Sequence, residues 1–421
     1  MTPLHQAHRH VGDLAHRVSN RLLRLQHERH LDLLEPGAWG DFRGLLPTST
    51  ALVGCRGVER AATTVHLLLP PLTSASVFAG VRTAVVASAG LAHRLGLDLR
   101  IITFAPDPSR HTRAAVTNLV HTETDLARER VSFRGGWTLS GTDFSTRDIW
   151  VPTYWSTAHA VDVACRVGTI DPARVAYLVQ DYEPDFLPNS TEASLAAATY
   201  EAGFRLVVNS RPLHAFLQTQ IGSLADDAAV FRPELDVARL REAAERRSRT
   251  GTARVAFYGR PGKPRNAFSL GVAALRVANR QQKTGAIDYT SVGQPHATID
   301  LGGGTPLRSR GQLSWQGWFD FLAETDVLLS LQLTPHPSHP PLDAVASGGR
   351  AVTNELGGTR GHLSPRLIAA PSDPSDLGAA VVEACERARA DDSEATYDGS
   401  FVESLGRPLG SVLDELATSL A

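Results

Sequence analysis

Along most of the chain, apolar runs of strand length alternate with stretches whose apolar residues recur at helical spacing. Residues 64–69 read as a buried strand, the stretch after them as a turn and a helix, and residues 98–104 as the next strand. The rhythm continues through 147–166, 174–184 and 192–219. It fades over 221–253 into polar, arginine-rich sequence and restarts at 254 with strand, loop and helix. A strand follows at 287–293. Another at 327–331 leads into a loop, a helix and a further strand, and helices close the chain. Such alternation predicts right-handed βαβ units and parallel sheets covered by helices. The organisation expected is a helical extension over 1–55, a Rossmann-like domain over 56–230, a linker over 231–250, a second Rossmann-like domain over 251–400 and a C-terminal helix over 401–421. Leu14, Val18, Leu22, Leu25 and Leu33 predict an amphipathic helix. Its apolar face is expected to pack on its own domain, the alternative being a basic helix at a membrane surface.

Composition narrows the class. Hydrophobic residues at 42% and charged residues at 20% exclude a disordered chain. Lys+Arg 42 against Asp+Glu 44 leaves a net charge of -2, which argues against a nucleic-acid partner. Cys55, Cys165 and Cys385 lie far apart with no metal-ligand spacing, so reduced thiols in a cytoplasmic protein are expected rather than a disulfide framework or zinc. No apolar run has the length of a membrane helix, and the charged N-terminal stretch lacks the apolar core of a signal peptide.

Two segments combine chemistry with position. Residues 257–266 follow a strand and precede a helix. Gly259 permits a tight turn, and Arg260, Lys263 and Arg265 place cations at the carboxyl end of that strand. Arginine grips phosphate as a fork and lysine as a point charge, so a diphosphate is the natural ligand; a solvated basic turn is the plainer reading. Residues 334–349 hold Pro335, Pro337, Pro340 and Pro341, which stiffen a loop before a helix whose start suits an anion. Asp343 is expected in the first turn of that helix, where it either offsets the dipole or accepts hydrogen bonds from ligand hydroxyls. On the N-terminal side, Thr153, Tyr154 and Trp155 sit at a strand exit, and Asp181, Glu183 and Asp185 follow another. The aromatic rings either offer a platform to a sugar or pack on the next helix. The carboxylates either bind hydroxyls or belong to a solvated loop with a helix cap.

With these segments in view, the chain resembles the GT-B glycosyltransferases, and within them the WsaF-like rhamnosyltransferases of glycosyltransferase family four. Residues 148–162, 177–210, 255–275 and 325–354 carry the likeness, which spans about Arg56 to Thr353; residues 335–349 are the most specific part. The resemblance implies an α/β GT-B fold, two facing Rossmann-like domains with an interdomain cleft. It implies a nucleoside diphosphate sugar as co-substrate, no other cofactor and no metal. The basic loop of the family, matched by Gly259, Arg260 and Lys263, holds the donor diphosphate. Arg260 and Lys263 then act in catalysis by stabilising the leaving group; Arg265, preceded by Pro264, is the weaker match. Of the two family glutamates eight residues apart, the one on the ribose maps onto Asp343, one methylene shorter. The one on the donor sugar maps onto Pro335 and is absent. Further donor contacts are expected from His336, Ser338, His339, Pro340 and Leu342, with a structural loop role the alternative for the two histidines, and acceptor contacts from Thr153, Tyr154, Asp181, Glu183 and Asp185. The glycine-rich loop of the family maps onto residues 73–80, which are sparse in glycine.

The function implied is retaining transfer of a sugar, foremost rhamnose from dTDP-rhamnose, to a glycan or glycolipid acceptor in cell-surface polysaccharide assembly. The place implied is the cytoplasm, with peripheral contact at the inner face of the membrane. A non-catalytic GT-B subunit that binds nucleotide or glycan, and a GT-B nucleotide-sugar epimerase, are the alternatives.

Overall fold

The computed structural model describes residues 18–19, 21–34, 38–72, 79–104, 107–226, 228–248, 251–282, 285–391 and 395–421. Leu14 and most of the expected glycine-poor loop, residues 73–78, lie outside them. Two compact units emerge. The first comprises the chain through Val208 with Ile221–Val230 and Pro408–Ala421; the second comprises Asn209–Gln220 and Phe231–Arg407.

In the first unit the strand order is Val131–Gly135, Asp98–Thr103, Thr64–Leu69, Ile149–Pro152. All of these pairs are parallel. A single parallel bridge, Trp150 to Val175, leads on to a sheet of Ala176–Val179, Arg205–Asn209 and Ala229–Phe231. Every residue of Thr64–Leu69 is buried, as expected of a strand covered by helices on both faces. The helix Leu409–Leu420 returns to this unit and lies on the helix Ala79–Leu95. It buries Leu409, Val412, Leu413, Leu416 and Leu420, each contributing about 1.5–3 kcal/mol.

The second unit holds a seven-stranded sheet in the order Ile299–Asp300, Pro306–Ser309, Ile287–Gly293, Ala253–Gly259, Val327–Leu329, Arg350–Asn354, Leu367–Ala370. Only the first pair is antiparallel. Along Ala253–Gly259 the side chains alternate. Val255 and Phe257 enter the core with Leu275, Leu307 and Val381, whereas Ala256 enters the opposite core with Leu322, Leu342 and Val345. The chain runs from Ala253–Gly259 outward to one side and then crosses back to Val327–Leu329 on the other. A topological switch point therefore lies between these two strands.

Two expectations are corrected. Within the expected linker, residues 231–248 are part of the second unit: the helix Val237–Glu245 buries Leu240, Ala243 and Ala244, and Leu240 and Ala243 join its core. The helix over residues 21–31 turns the other face inward from the one expected. Val18, Leu22, Leu25 and Leu33 are at least half exposed, while Leu31 joins Trp39, Val53 and Val163 in a small core. A polar anchor selects that face. The buried His27 places Nε2 2.9 Å from the Thr50 carbonyl and Nδ1 2.6 Å from the Ser140 hydroxyl. The carbonyl can only accept, so Nε2 carries a proton. No helix among the described residues is long and apolar enough to cross a membrane.

Burial lowers the pKa of His27, against a smaller upward pull from the Thr50 carbonyl. A lowered folded pKa means the unfolded chain takes up the proton first. The stability His27 contributes is thus present above about pH 6.5 and is lost as pH falls below it, at no more than about 1.4 kcal/mol per pH unit. The melting temperature is expected to fall less between pH 7 and pH 5 in His27→Gln than in the parent chain. Parallel melting curves over that range would contradict this account of the anchor.

Candidate functional site

Ligands of open α/β sheets bind at the carboxyl ends of strands beside a switch point. In the second unit the two loops that leave this place are the two singled out from the sequence. The first leaves the strand Ala253–Gly259. Its exit is tight: a Cβ on Gly259 would come within 2.6 Å of the Ser291 hydroxyl, and Gly293 beside it has φ of 120°. Only glycine fits such a close approach. Gly262 donates its N–H to Gln294 Oε1 at 2.8 Å, which shapes the turn that carries Arg260 and Lys263. Arg260 is half-buried above the Tyr258 ring, 5.9 Å from its centroid, and Lys263 is exposed. Neither side chain makes an ion pair or hydrogen bond among the described residues. Lys263 is one of only two lysines, with Lys283, in a chain that otherwise uses arginine as its cation.

The second loop follows the strand Val327–Leu329 and is tied to the first. The Leu333 amide donates to the Arg265 carbonyl at 2.8 Å, and the buried Asn266 donates to the Leu331 carbonyl at 3.1 Å and to Gln332 Oε1 at 3.0 Å. Asn354 exchanges two hydrogen bonds with the backbone of Gln332. Arg360, fully buried, donates to the carbonyl and side-chain oxygens of Asn354 and to the Thr334 carbonyl. Asn266 closes the first segment singled out from the sequence, whereas Gln332, Asn354 and Arg360 were not site candidates; polar residues lacking a motif carried no signal.

The loop ends at Ser338, whose φ of 67° and ψ of 148° lie where side chains are strained. Its N–H donates to His336 Nδ1 at 3.0 Å. Burial, then the charges of His339 and Arg360, push the pKa of His336 down to about 3, so the ring is a neutral acceptor. The helix His339–Ala346 starts with two prolines after His339. Those prolines lack N–H groups, so the anion-binding capacity expected of this helix start falls mainly to the His339 amide and the helix dipole. Ser338 and His339 are half-buried and Pro340 is buried. Leu342 is corrected: its side chain is a core residue, packed with Phe319 and Leu322.

Asp343 is also displaced from its expected place. It is the fifth helical residue, beyond the first turn, so dipole compensation does not explain it. Its Oδ2 accepts a hydrogen bond of 2.9 Å from the Trp318 indole, and Oδ1 has no partner among the described residues. Burial pushes the carboxyl up to about 7; the Trp318 bond opposes the shift and Asp236 adds to it. Pro335, at the position of the absent acid, is buried.

The first unit holds the acceptor-side candidates. Thr153 leaves the strand Ile149–Pro152, which flanks the switch point of its own sheet. Its hydroxyl is used internally, donating to the Leu68 carbonyl at 2.8 Å. Tyr154 is half-buried at the N-cap of Trp155–Arg166, and the buried Trp155 packs inward, so the platform reading fails for Trp155. Glu183 is buried and caps the same helix, accepting from the Trp155 amide at 2.5 Å. Asp181 accepts from the Tyr182 amide at 3.0 Å. Asp185 is left: exposed, its pKa raised by partial desolvation, with no side-chain partner among the described residues. No group of three or more His, Cys, Asp or Glu among the described residues could hold a metal.

The WsaF N-terminal domain matches residues 64–210 and the WsaF C-terminal domain matches residues 253–382. The chain is 33% identical over 208 residues to the O-antigen biosynthesis protein RfbC of Myxococcus xanthus. That stretch covers 49% of this chain but only 16% of the relative. Among solved structures, the chain is similar to Anabaena Alr3699/HepE in complex with UDP, with a TM-score of 0.51 at 12% identity, covering 85% of this chain and 94% of that one. The sucrose-phosphate synthase of Thermosynechococcus elongatus gives a TM-score of 0.50 at 13% identity with the same coverage. These likenesses identify the GT-B fold, and the paired domain matches over most of the chain show that it belongs to the WsaF family.

Proposed function

We propose that the chain is a glycosyltransferase of polysaccharide assembly that draws a sugar from a nucleoside diphosphate bound by its second unit. The observation that carries this reading is the convergence of Arg260, Lys263 and Asp343 on the loops and helix beside the switch point of one sheet. Family membership and the likeness to an O-antigen biosynthesis protein support it, as does a neighbour solved with UDP. The finer reading is rhamnose transfer from a dTDP donor to a glycan or glycolipid, with net retention and without metal.

The reaction follows from those residues. The bond between the anomeric carbon and the diphosphate oxygen breaks through an oxocarbenium-like transition state. The acceptor hydroxyl oxygen bonds to the anomeric carbon and its proton passes to the departing phosphate, releasing nucleoside diphosphate. Arg260 and Lys263 gain interaction as charge builds on that phosphate, which is stabilisation of the transition state over the ground state. Asp343 accepts from a ribose hydroxyl. A second reading, nucleotide binding without transfer, is favoured by Pro335 in place of the sugar-contacting acid. Purified protein given a panel of nucleotide-sugars separates the two: transfer requires nucleoside diphosphate release that rises with acceptor.

Arg260→Ala and Lys263→Ala are each expected to weaken nucleoside diphosphate binding roughly three- to thirtyfold, less than a fully buried contact because both are partly solvated. Nucleoside binding should stay within twofold. Equal losses for nucleoside and nucleoside diphosphate, read by titration calorimetry, would remove these residues from the phosphate site.

Asp343 gives a prediction with two opposite signs. Its folded pKa is raised to about 7, so the folded state holds the proton more tightly than the unfolded one between about pH 4 and 7, and the ionised carboxylate weakens the fold above that range. Asp343→Asn should therefore raise the melting temperature at pH 8 by a few degrees while weakening donor binding. In the parent chain, donor affinity should increase as pH rises through about 7. A variant that melts higher and binds donor unchanged would leave Asp343 as a buried acid with no ligand.

A further inference from the structure

We propose that Trp318 is the positioning residue of the donor site, its indole N–H holding one oxygen of Asp343 so that the other is presented to the donor. The proposal rests on the reading of Asp343 as a donor contact. Trp318 lies in the helix Trp315–Ala323, whose N-cap Ser314 accepts from the Gly317 amide at 3.1 Å. Asp343 lies in a different helix, 25 residues along the chain, and the 2.9 Å bond joins the two. It is the only hydrogen bond that the Asp343 side chain makes among the described residues. A carboxylate on one side-chain torsion beyond Cβ rotates freely unless an oxygen is held, and one held oxygen fixes where the second lies.

The same indole reaches the cationic loop. Its ring meets Tyr258 edge-on, with centroids 6.0 Å apart and planes at 70°, and stacks on Phe321 at 6.3 Å. Arg260 sits over the Tyr258 ring. One side chain thus touches the carboxylate on one side and, on the other, the ring beneath the arginine. The spacing between the group for the ribose and the group for the phosphate is set through Trp318. Trp318 is half-buried, and a tryptophan partly removed from water usually satisfies its N–H; here the partner is a carboxylate one methylene shorter than glutamate.

The test is a double-mutant cycle in the full chain with UDP and dTDP as probes, read by calorimetry, melting curves serving as the folding control. Trp318→Phe keeps an aromatic ring and removes the N–H; it is expected to weaken binding roughly ten- to hundredfold, the range for losing a charge-assisted bond. In the Asp343→Ala background the same change should cost less than twofold. The indole resonance that disappears in Trp318→Phe should shift when UDP is added to the parent chain and stay still in Asp343→Ala. Trp318→Tyr replaces Trp318→Phe if the latter fails to fold, and the resonance needs no Trp318 variant beyond its assignment. Losses that add across the cycle, or wild-type affinity in a folded Trp318→Phe, would overturn the positioning role while leaving Asp343 in the site. Wild-type affinity in Asp343→Ala would instead overturn the reading of Asp343, and this proposal with it.

Discussion

A guanidinium removed from water must give its N–H groups to the protein, and Arg360 gives them to the carbonyls of Asn354 and Thr334. This constraint organises the second unit around the switch point. Asn354 ends a strand, Thr334 opens the proline-rich loop, and Gln332 and Asn266 extend the network to the cationic loop. Two excursions far apart in sequence are thereby held as one surface. The prolines restrict the loop, but they donate nothing; its placement comes from acceptors drawn to a buried positive charge.

What this frame holds in place is unfavourable in itself. Among the described residues, Ala267 and Ser338 are the non-glycine residues with positive φ, and they occupy the N-caps of the helices that follow the two loops. Asp343 is buried with a strongly raised pKa a few residues further on. Strained backbone and a carboxylate out of water persist only where surrounding structure over-determines them. Their concentration at the carboxyl edge of one sheet separates this edge from the remainder of the unit, whose strands follow simple alternation.

The sequence made the strands, their parallel pairing and the two loops legible, because apolar period and glycine or proline punctuation are local signals. Position within a helix was less so: Asp343 was expected one turn early, since the helix starts at His339 ahead of its prolines. Glu183 and Thr153 looked like ligand groups and serve the scaffold, because a polar side chain at a strand exit has the same appearance in sequence whether it meets a ligand or a helix N-terminus. Leu22 and Leu25 misled for a related reason. Their spacing is that of a buried stripe, yet the face chosen is the one where His27 finds a carbonyl and a hydroxyl. Trp318 and Arg360 were invisible, as Asp343 and Thr334 lie 25 or more residues away from them and carry no recognisable motif with them.

The return of Leu409–Leu420 to the first unit has a consequence for synthesis. Its apolar face, with Leu413 and Leu416, lines one side of a pocket completed by Ala87, Leu91, Val151, Leu178 and Val207. Those residues emerge from the ribosome early, but their covering helix is made only after the whole second unit. At about 5–20 residues per second the first unit waits roughly 10 to 40 seconds with that face bare. The nascent chain therefore passes through a stage in which the later unit is complete before the earlier one, and chaperone occupancy during translation should concentrate on the helix Ala79–Leu95.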